Sequence, residues 1–421
     1  MRVGVVADSV SPEAGGVFTF VGAVVDAIKQ CSSSHEFVIW EPAGEREIKV
    51  WWRDAVNRGA EVIGAGRLIR STVRRVRSVT AALAPAELSP IERFIQESEI
   101  DMMWFLSQTN ATASVPYITT VWDLQHRRQP YFPEVCNTAW TWEEREQAFA
   151  TVLPRASRII TGTQTGKREI LTFYGVLPEN VLVVPMPVAI DEHRAAGAAH
   201  IDVREKYCLR REYVFYPAQF WPHKNHVNLL LALDFLKGPG GLQVDLVLTG
   251  SDKGNLDHVS KTVAVLGLTS QVHILGFVPK ADLHELYREA VCLAFPSFFG
   301  PDNIPPLEAF ALGCPVVAAA VPGSEEQLGN AALLFDPADP VAIARAIMKV
   351  HCDRRLRAEL IERGKEIASA RSPLAYVAQI CHILDGFAPI RRCWGRHLEQ
   401  AELVDQRFCT QNGRAASACV G

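Results

Sequence analysis

Lys224 stands in an unusual place for a cation. It lies in the stretch PAQFWPHKNH, residues 217–226, where an apolar strand candidate ends and the next helix is predicted to begin. The amino end of a helix already carries a partial positive charge, so cations are more stable at the other end. Lysine and helix together would hold a phosphate well. We therefore predict a phosphate site at Lys224, with a merely tolerated lysine as the alternative.

The histidines beside this lysine do not indicate a metal site. His223 and His226 have no third ligand at a suitable spacing, and the cation between them opposes a metal ion. The ten cysteines form no CxxC pair, and several lie in apolar runs where a reduced thiol packs as a small hydrophobic group. We expect no metal and a reducing, cytoplasmic location.

A second group of polar residues lies between two buried segments, in FPSFFGPDNIPPLEAFALGCPVVAA, residues 295–319. Asp302 and Asn303 fall in a loop, and the double proline after them suits the first turn of a helix, where a missing N–H costs nothing. Glu308 falls on the first or second turn, where its carboxylate can accept two hydroxyls of a ribose. The alternative is a glutamate that only complements the helix dipole, worth under about 1 kcal/mol.

Three other loops carry weaker signals. Gly15 and Gly16 follow the first strand candidate and would let the backbone approach an anion, although a simple tight turn explains them equally well. The chain lacks a GxGxxG there, so the dinucleotide fingerprint is absent. Gly250 ends another strand candidate. The backbone of Phe277 and Val278 could hydrogen-bond the edge of a base, but a plain strand-to-helix turn is the better interpretation.

Composition indicates a soluble protein with two domains. The chain has 421 residues, of which 48% are hydrophobic and 21% charged, too many for a single core. The formal net charge of −4 gives no reason to expect nucleic acid. The opening MRVGVVADSV indicates a strand rather than a secretory signal, and nowhere do eighteen apolar residues run together.

The apolar runs predict an α/β fold with parallel sheets covered on both faces. Short runs rich in β-branched residues, without alternation, are separated by helical stretches. We predict a doubly wound, Rossmann-like domain over residues 1–190, a second over 205–372, and a segment 373–421 with a helix that crosses back and a polar tail. Ligands of such sheets bind outside the carboxyl ends of the strands, so the loops above should line a cleft.

Taken together, the loops around Lys224 and Glu308 resemble those of the retaining sugar-nucleotide glycosyltransferases of family 4, which have the GT-B fold. The resemblance covers residues 1 to about 385 and is strongest from Tyr216 to Pro337. The motifs that carry it are YPAQFWPHKNH, LTGSDKGN, VHILGFVP, GPDNIPPLEAFALGCPVVA and PGSEEQLGNAALLFDP. It implies two Rossmann-like domains that face each other across a cleft.

The resemblance also implies roles for single residues. In that family a lysine and an arginine hold the donor diphosphate, and two glutamates eight residues apart bracket the donor. Lys224 and Glu308 match the lysine and the second glutamate, whereas Gln219 stands in the arginine's place and Gly300 in the first glutamate's. Asp302, Asn303 and the backbone amides of the loop that contains them, here called the hinge, would replace them. The residues expected to bind the nucleotide-sugar are Gly15, Gly16, Gln219, Lys224, Gly250, Phe277, Val278, Asp302, Asn303, Ile304 and Glu308.

On the amino-terminal side the family often carries a His-Asp pair after a strand. Here TTVWDLQH gives Trp122 and Asp123, with His126 three residues later, so the catalytic candidates are Lys224, Glu308 and His126. The implied reaction moves a hexosyl residue from a nucleotide-sugar to a hydroxyl of a sugar or lipid-linked acceptor, with retention, in cell-surface polysaccharide synthesis. It needs no metal and no cofactor, because the nucleotide-sugar is a substrate.

Two alternatives stay open. One is another GT-B enzyme, such as a sugar-nucleotide epimerase or a phosphorylase, against which the hinge and the Lys224 loop argue. The other is a binding module that has the fold but no catalytic activity. Gly300 and Gln219, which replace the family's glutamate and arginine, leave this alternative open.

A basic stretch, RLIRSTVRRVRS at residues 67–78, has no acidic residue. At about 100° per residue its arginines occupy one arc of a helix and its apolar residues the opposite one. Such a helix can lie on anionic lipid, here the inner face of the cytoplasmic membrane. The alternative is a solvated helix packed on the domain core, and both can hold. The arginines concerned are Arg67, Arg70, Arg74, Arg75 and Arg77.

Overall fold

The structure is a computed structural model that describes residues 1–7, 15–41, 48–51, 62–63, 88–109, 111–136, 140–188, 190, 201–300 and 302–394. The predicted arginine-rich helix at 67–78 and the predicted polar tail after residue 394 lie outside these residues.

The first sheet has eight strands in the described residues, in the order β4-β3-β2-β1-β5-β6-β7-β8. Six of them pair in parallel, from β2 across to β8, as the unalternating apolar runs predict. The antiparallel strands β3 and β4 extend the sheet beyond β2, with β4 at the edge, and were not predicted. The strands are β1 Arg2–Val6, β2 Glu36–Trp40, β3 Ile48–Trp51, β4 Val62–Ile63, β5 Met102–Phe105, β6 Tyr117–Thr120, β7 Arg158–Thr161 and β8 Val181–Val183.

The second sheet is parallel throughout its six described strands, in the order β11-β10-β9-β12-β13-β14. The order reverses between β9 and β12, which is the topological switch point of a doubly wound fold. The strands on either side of this point, β9 and β12, are buried along nearly their whole length, because helices cover both faces of the sheet. The strands are β9 Tyr213–Pro217, β10 Asp245–Thr249, β11 Val272–Ile274, β12 Cys292–Phe295, β13 Val316–Ala319 and β14 Ala332–Phe335.

Helices alternate with the strands in both halves. Many of them start at a polar side chain that accepts from the first turn: Thr163 precedes α6, Asp339 precedes α13 and Ser372 precedes α15. The amino-terminal helices are α1 Gly16–Gln30, α2 Pro90–Glu97, α3 Gln125–Arg128, α4 Pro133–Cys136, α5 Trp142–Val152 and α6 Gln164–Tyr174. The others are α7 Val203–Lys206, α8 His226–Lys237, α9 Leu256–Val265, α10 Lys280–Glu289, α11 Ile304–Ala311, α12 Ser324–Leu328, α13 Pro340–Cys352, α14 Arg354–Ser369 and α15 Pro373–Arg391.

The last described helix, α15, returns to the first sheet and packs against α1. The ring of Tyr376 meets that of Phe20 edge-on at 5.6 Å. Farther along, Arg391 forms a buried ion pair of 2.8 Å with Asp101, at the amino end of β5. The last described helix therefore packs on the amino-terminal domain.

Candidate functional site

The reversal of strand order in the second sheet places two loops side by side. One follows β9 and contains Lys224, and the other follows β12 and leads into α11. The amide of Phe298 donates to the carbonyl of His223 at 2.9 Å, so the two loops are bonded to each other. Open α/β sheets bind ligands in the crevice at this point. The two stretches that the sequence singles out therefore meet where a ligand is expected.

Lys224 ends a single 3-10 turn, Pro222–Lys224, just ahead of α8. Asn225 separates the turn from the helix by taking a left-handed conformation, with φ of 61°. The side-chain amide of Asn225 donates to the carbonyls of Pro296 and Pro337 at 3.0 and 2.8 Å, which fixes this conformation. The helix that follows therefore begins at His226, and Lys224 lies on the turn before it.

The ammonium group of Lys224 lies in a partly buried place without a counter-ion. Its Nζ is 5.5 Å from the centroid of the Phe295 ring, and within the described part of the chain it makes no ion pair. Burial lowers the pKa of Lys224 to about 8, while the carboxylates of Asp123 and Glu134 oppose this. A desolvated cation without a bonded partner favours an anionic ligand.

The amino end of α11 offers fewer amides than the sequence suggests. Residues 305–306 are both proline and have no N–H. The amide of Asn303 is already bonded to Oε1 of Gln327 at 3.1 Å, and Gln327 Nε2 donates back to the Asn303 carbonyl at 3.0 Å. Ile304 is left with an amide that has no partner among the described residues. Of the predicted hinge amides, this one is available to a ligand.

The two predicted glycines of the first domain lie against this helix end. Gly15, with φ of 68°, precedes α1, and Gly16 is its first residue. A Cβ at Gly16 would lie 3.0 Å from Cδ1 of Ile304, so the starts of α1 and α11 are in contact across the two domains. Their positive ends therefore face the same region.

Glu308 lies on the second turn of α11 with its carboxylate half-buried. The hydroxyl of Tyr287 donates to its Oε2 at 3.0 Å, and Oε1 makes no hydrogen bond within the described residues. Burial raises the pKa of Glu308, whereas the bond from Tyr287 and the charge of Lys280 oppose the rise. One oxygen thus remains for a hydroxyl of a ligand.

Asp302 points to the first domain. Both of its carboxylate oxygens are buried, and neither is hydrogen-bonded within the described part of the chain. They press against the backbone of Gly162, where a Cβ would overlap them. Burial raises the pKa of Asp302 to about 7; Arg371 opposes the rise, and Glu326 and Asp123 add to it. In this arrangement the carboxylate oxygens are not accessible to a ligand.

Two departures from the family pattern have local explanations. Gly300 lies against the Pro322 carbonyl, which would be 2.6 Å from a Cβ, so no side chain fits there. Gln219 uses its Oε1 to accept a hydrogen bond of 3.0 Å from Nε1 of Trp221. The first position therefore excludes a donor-binding carboxylate, and the second helps to shape the turn that precedes Lys224.

The weaker candidates lie on the neighbouring loops. The Gly250 amide donates to the Gly276 carbonyl at 2.8 Å. The φ of Gly250 is 143°, a value that residues with a side chain rarely adopt. A side chain at Gly250 would overlap the Ala218 carbonyl. The Phe277 side chain is 59% exposed and Val278 is buried. The amides of Phe277 and Val278 have no partner among the described residues.

His126 is tied to the interior of the first domain. Its Nε2 lies 2.7 Å from Oε1 of Glu146 and 3.2 Å from the Tyr174 hydroxyl, and its ring stacks on that of Phe149. Burial lowers the pKa of His126, and Glu146 opposes this. No described contact joins it to the Lys224 loop, and its catalytic role stays a prediction.

A carboxylate that the sequence predictions passed over lies closer to the cleft. Asp123 follows β6 at the carboxyl edge of the first sheet, and its Oδ1 accepts a bond of 3.0 Å from the Gln125 amide. Its charge adds to the raised pKa values of Asp302 and Glu169, the latter about 6, and opposes the lowering of the Lys224 pKa by burial. An acid directly after a buried strand was the signal that could have identified it.

Three further features bear on cofactors and location. Within the described residues, no group of three or more His, Cys, Asp or Glu side chains is arranged to hold a metal ion. The eight cysteines in this part of the chain form no disulfide. No described helix combines the length and the apolar character needed to span a membrane.

The loops described above fall within a stretch that other proteins share. Residues 204–367 match the family model of glycosyl transferases group 1. Over this stretch the chain is similar to the group 1 glycosyltransferases. O-antigen chain mannosyltransferase B of Escherichia coli is 28% identical over 227 residues, which cover 54% of this chain and 58% of the relative.

A second relative, D-inositol 3-phosphate glycosyltransferase of Acidothermus cellulolyticus, is 30% identical over 221 residues, covering 50% of this chain and 49% of the relative. The chain thus spans about half the length of the curated relatives it matches.

Solved structures match over both domains. Anabaena HepE in complex with UDP-glucose superimposes with a TM-score of 0.65 at 19% identity, covering 92% of this chain and all of that one. WaaG, a glycosyltransferase involved in lipopolysaccharide biosynthesis, gives 0.61 at 15% identity, covering 91% and 99%. At sequence identities this low, the similarity shows the fold alone. The two Rossmann-like domains have the GT-B fold, and the prediction of that fold is confirmed.

Proposed function

We propose that the chain is a retaining glycosyltransferase that moves a hexosyl residue from a nucleotide-sugar to a hydroxyl of a sugar or lipid-linked acceptor. The carrying observation is the Lys224 ammonium, half-buried at the switch point and without an ion pair among the described residues. Breaking a glycosyl–phosphate bond develops negative charge on the departing diphosphate, and a preorganised cation in a dry site stabilises that charge. Lys224 supplies it, so we propose that no metal is needed.

The remaining contacts would hold the donor around this cation. The free Oε1 of Glu308 would accept a ribose hydroxyl, and the Ile304 amide with the adjoining start of α1 would face the diphosphate. The acceptor hydroxyl would approach on the face that the diphosphate leaves, which accounts for retention. Asp123, whose charge reaches Lys224 from the first domain, would contact the acceptor or the transferred sugar.

The acceptor proposal draws on similar proteins. One is named for the O-antigen chain and another, WaaG, is described as taking part in lipopolysaccharide biosynthesis. Both names concern cell-surface polysaccharide, so we propose a role in such synthesis at the cytoplasmic face of a membrane. The arginine-rich stretch at 67–78 would bring the cleft near a lipid-linked acceptor. Sedimentation with anionic vesicles at low salt, lost when Arg70, Arg74 and Arg77 are replaced by Ser, tests this part.

A second candidate function is binding without catalysis. The absence of a carboxylate at Gly300 and of a cation at Gln219 favours it, since both positions grip the donor in the family that this chain resembles.

Incubation with radiolabelled UDP-, GDP- and dTDP-sugars separates the two candidates. Transfer to an acceptor, or slow hydrolysis of one donor, supports the glycosyltransferase. Saturable binding of a donor with no turnover over hours supports the binding module. If none of these donors binds, both candidates are wrong.

A further inference from the structure

One segment of the first domain, residues 129–134, contacts both loops of the candidate donor site. Nε2 of Gln129 donates to the carbonyl of Phe298 at 2.7 Å, in the loop that leads to α11. The ring of Phe132 packs against those of Phe298 and Phe299, with centroids 5.8 and 5.3 Å apart. It also meets the ring of His223 edge-on at 6.3 Å. The two loops are therefore held from the same side by the other domain.

Glu134 makes the most specific of these contacts. Its Oε1 accepts from the backbone amide of His223 at 3.0 Å and lies 2.5 Å from Nδ1 of the same histidine. Both side chains are buried, and the His223 ring stacks on Phe299 at 3.8 Å. Burial and the neighbouring Lys224 lower the pKa of His223 to about 4, so the ring is neutral and its Nδ1–H donates to the carboxylate.

The bonded histidine is the residue directly before Lys224. Fixing both the amide and the ring of His223 fixes the direction in which the 3-10 turn presents the next side chain. The charge of Glu134 also reaches Lys224 and works against the effect of burial on its pKa. The carboxylate thus acts on the orientation of the lysine and on its protonation.

We propose that Glu134 is a positioning residue for Lys224, so that contact between the two domains completes the diphosphate site. The inference rests on the proposed function for the identity of the ligand, but its effect on Lys224 can be measured without one. A carboxylate that merely joined the domains would leave the protonation of Lys224 unchanged. This difference defines the test.

Glu134→Gln keeps an oxygen that can accept both bonds from His223 but removes the charge, whereas Glu134→Ala removes both. Labelling of Lys224 with acetic anhydride, followed by mass spectrometry from pH 6 to 10, reports the pKa of the amine. For Glu134→Gln we expect the midpoint at lower pH than in the wild type, because an opposing charge no longer stabilises the ammonium. Calorimetric binding of UDP and GDP should weaken earlier as pH rises in this variant.

For Glu134→Ala we expect UDP or GDP affinity at pH 7 to fall by about tenfold or more, since the turn loses its anchor. The matched control is Asp245→Asn, which removes a buried carboxylate that also contacts a histidine, His273 at 2.9 Å, at the far end of the second sheet. That variant should keep the wild-type labelling midpoint and nucleotide affinity. A wild-type protein that binds none of UDP, GDP and dTDP would contradict the proposed function. An unchanged Lys224 midpoint in both Glu134→Gln and Glu134→Ala, or wild-type nucleotide affinity in Glu134→Ala, overturns the positioning role.

Discussion

At the scale of single residues, burial gives Lys224 its chemical character. A pKa of about 8 keeps the side chain mainly protonated at pH 7, while the loss of surrounding water makes that charge costly until an anion arrives. A diphosphate provides the missing partner and gains charge as the glycosyl bond breaks. An exposed lysine would be screened by water and salt and would discriminate less between ground state and transition state.

The first prediction is that Lys224→Ala lowers kcat/KM by at least about tenfold without loss of folded structure, since one stabilising cation is removed from the leaving group. In the wild type, activity should decline as pH rises through about 8, where the ammonium loses its proton. Steady-state kinetics across pH, with circular dichroism as the folding check, measure both. Lys237→Ala, at the other end of α8, is the control that should behave as wild type.

The second prediction concerns Glu308, whose carboxylate accepts from Tyr287 and has one oxygen left over. Glu308→Gln should weaken binding of the nucleotide by about tenfold, because a hydrogen bond to a charged acceptor is worth about 1.5–3 kcal/mol. The thermal midpoint should change little, since the amide keeps the shape of the side chain and an acceptor for Tyr287. Calorimetry with UDP and GDP measures the affinity. Unaltered affinity would reduce Glu308 to a helix-dipole residue.

At the scale of elements, the βα order could be predicted from sequence, and the partners across the domains could not. Strands such as β9 and β12 are buried on both faces and show as unbroken apolar runs, so their type and position follow from composition. Glu134 lies 89 residues from His223, and no local pattern marks that pairing. The strands β3 and β4 are short and antiparallel, and their pairing depends on a neighbour rather than on their own sequence.

The loops between these elements are constrained by close backbone approach, as the third prediction tests. Gly250→Ala combines a φ of 143° with an overlap between Cβ and the Ala218 carbonyl, so it should cost about 3 kcal/mol or more of stability and displace the backbone before the Lys224 turn. Gly254→Ala is the matched control: its φ is 94°, but nothing lies within 4 Å of a Cβ there. It should cost about 1 kcal/mol. Urea unfolding compares them, and equal costs would show that the close approach does not matter.

At the scale of the whole molecule, several separate contacts join the domains. Glu326, on α12, binds the backbone amides of Gln164 and Thr165 at the start of α6, where a carboxylate also complements the helix dipole. The Glu134 contact lies at the Lys224 turn, and Asp302 meets the Gly162 backbone. Each contact involves a loop at the carboxyl edge of a sheet, so the donor loops and the domain interface share the same residues.

This sharing predicts that the contact between the domains weakens as pH rises. The pKa of Asp302 is raised from 3.8 to about 7 by burial, with Arg371 opposing and Glu326, Asp123 and the nearby Tyr376 as its other ionisable neighbours. A carboxyl with a raised pKa binds its proton more tightly in the docked state than when exposed. The destabilisation that ionisation of Asp302 causes is therefore absent below about pH 4. It grows between about pH 4 and about pH 7 and stays constant above.

In the wild type we expect the thermal midpoint to fall across that window, with a loss of at most about 4 kcal/mol in the free energy of unfolding. Asp302→Asn should abolish this part of the slope and unfold at a higher temperature than the wild type at pH 7.5, but not at pH 4.5. Asp282→Asn is the contrasting control, because bonds from Lys206 and Tyr207 outweigh burial and lower the pKa of Asp282. It should lose stability at neutral pH rather than gain it. Parallel pH profiles for wild type and Asp302→Asn would mean that Asp302 ionises freely, with its carboxylate in water and the Gly162 contact open.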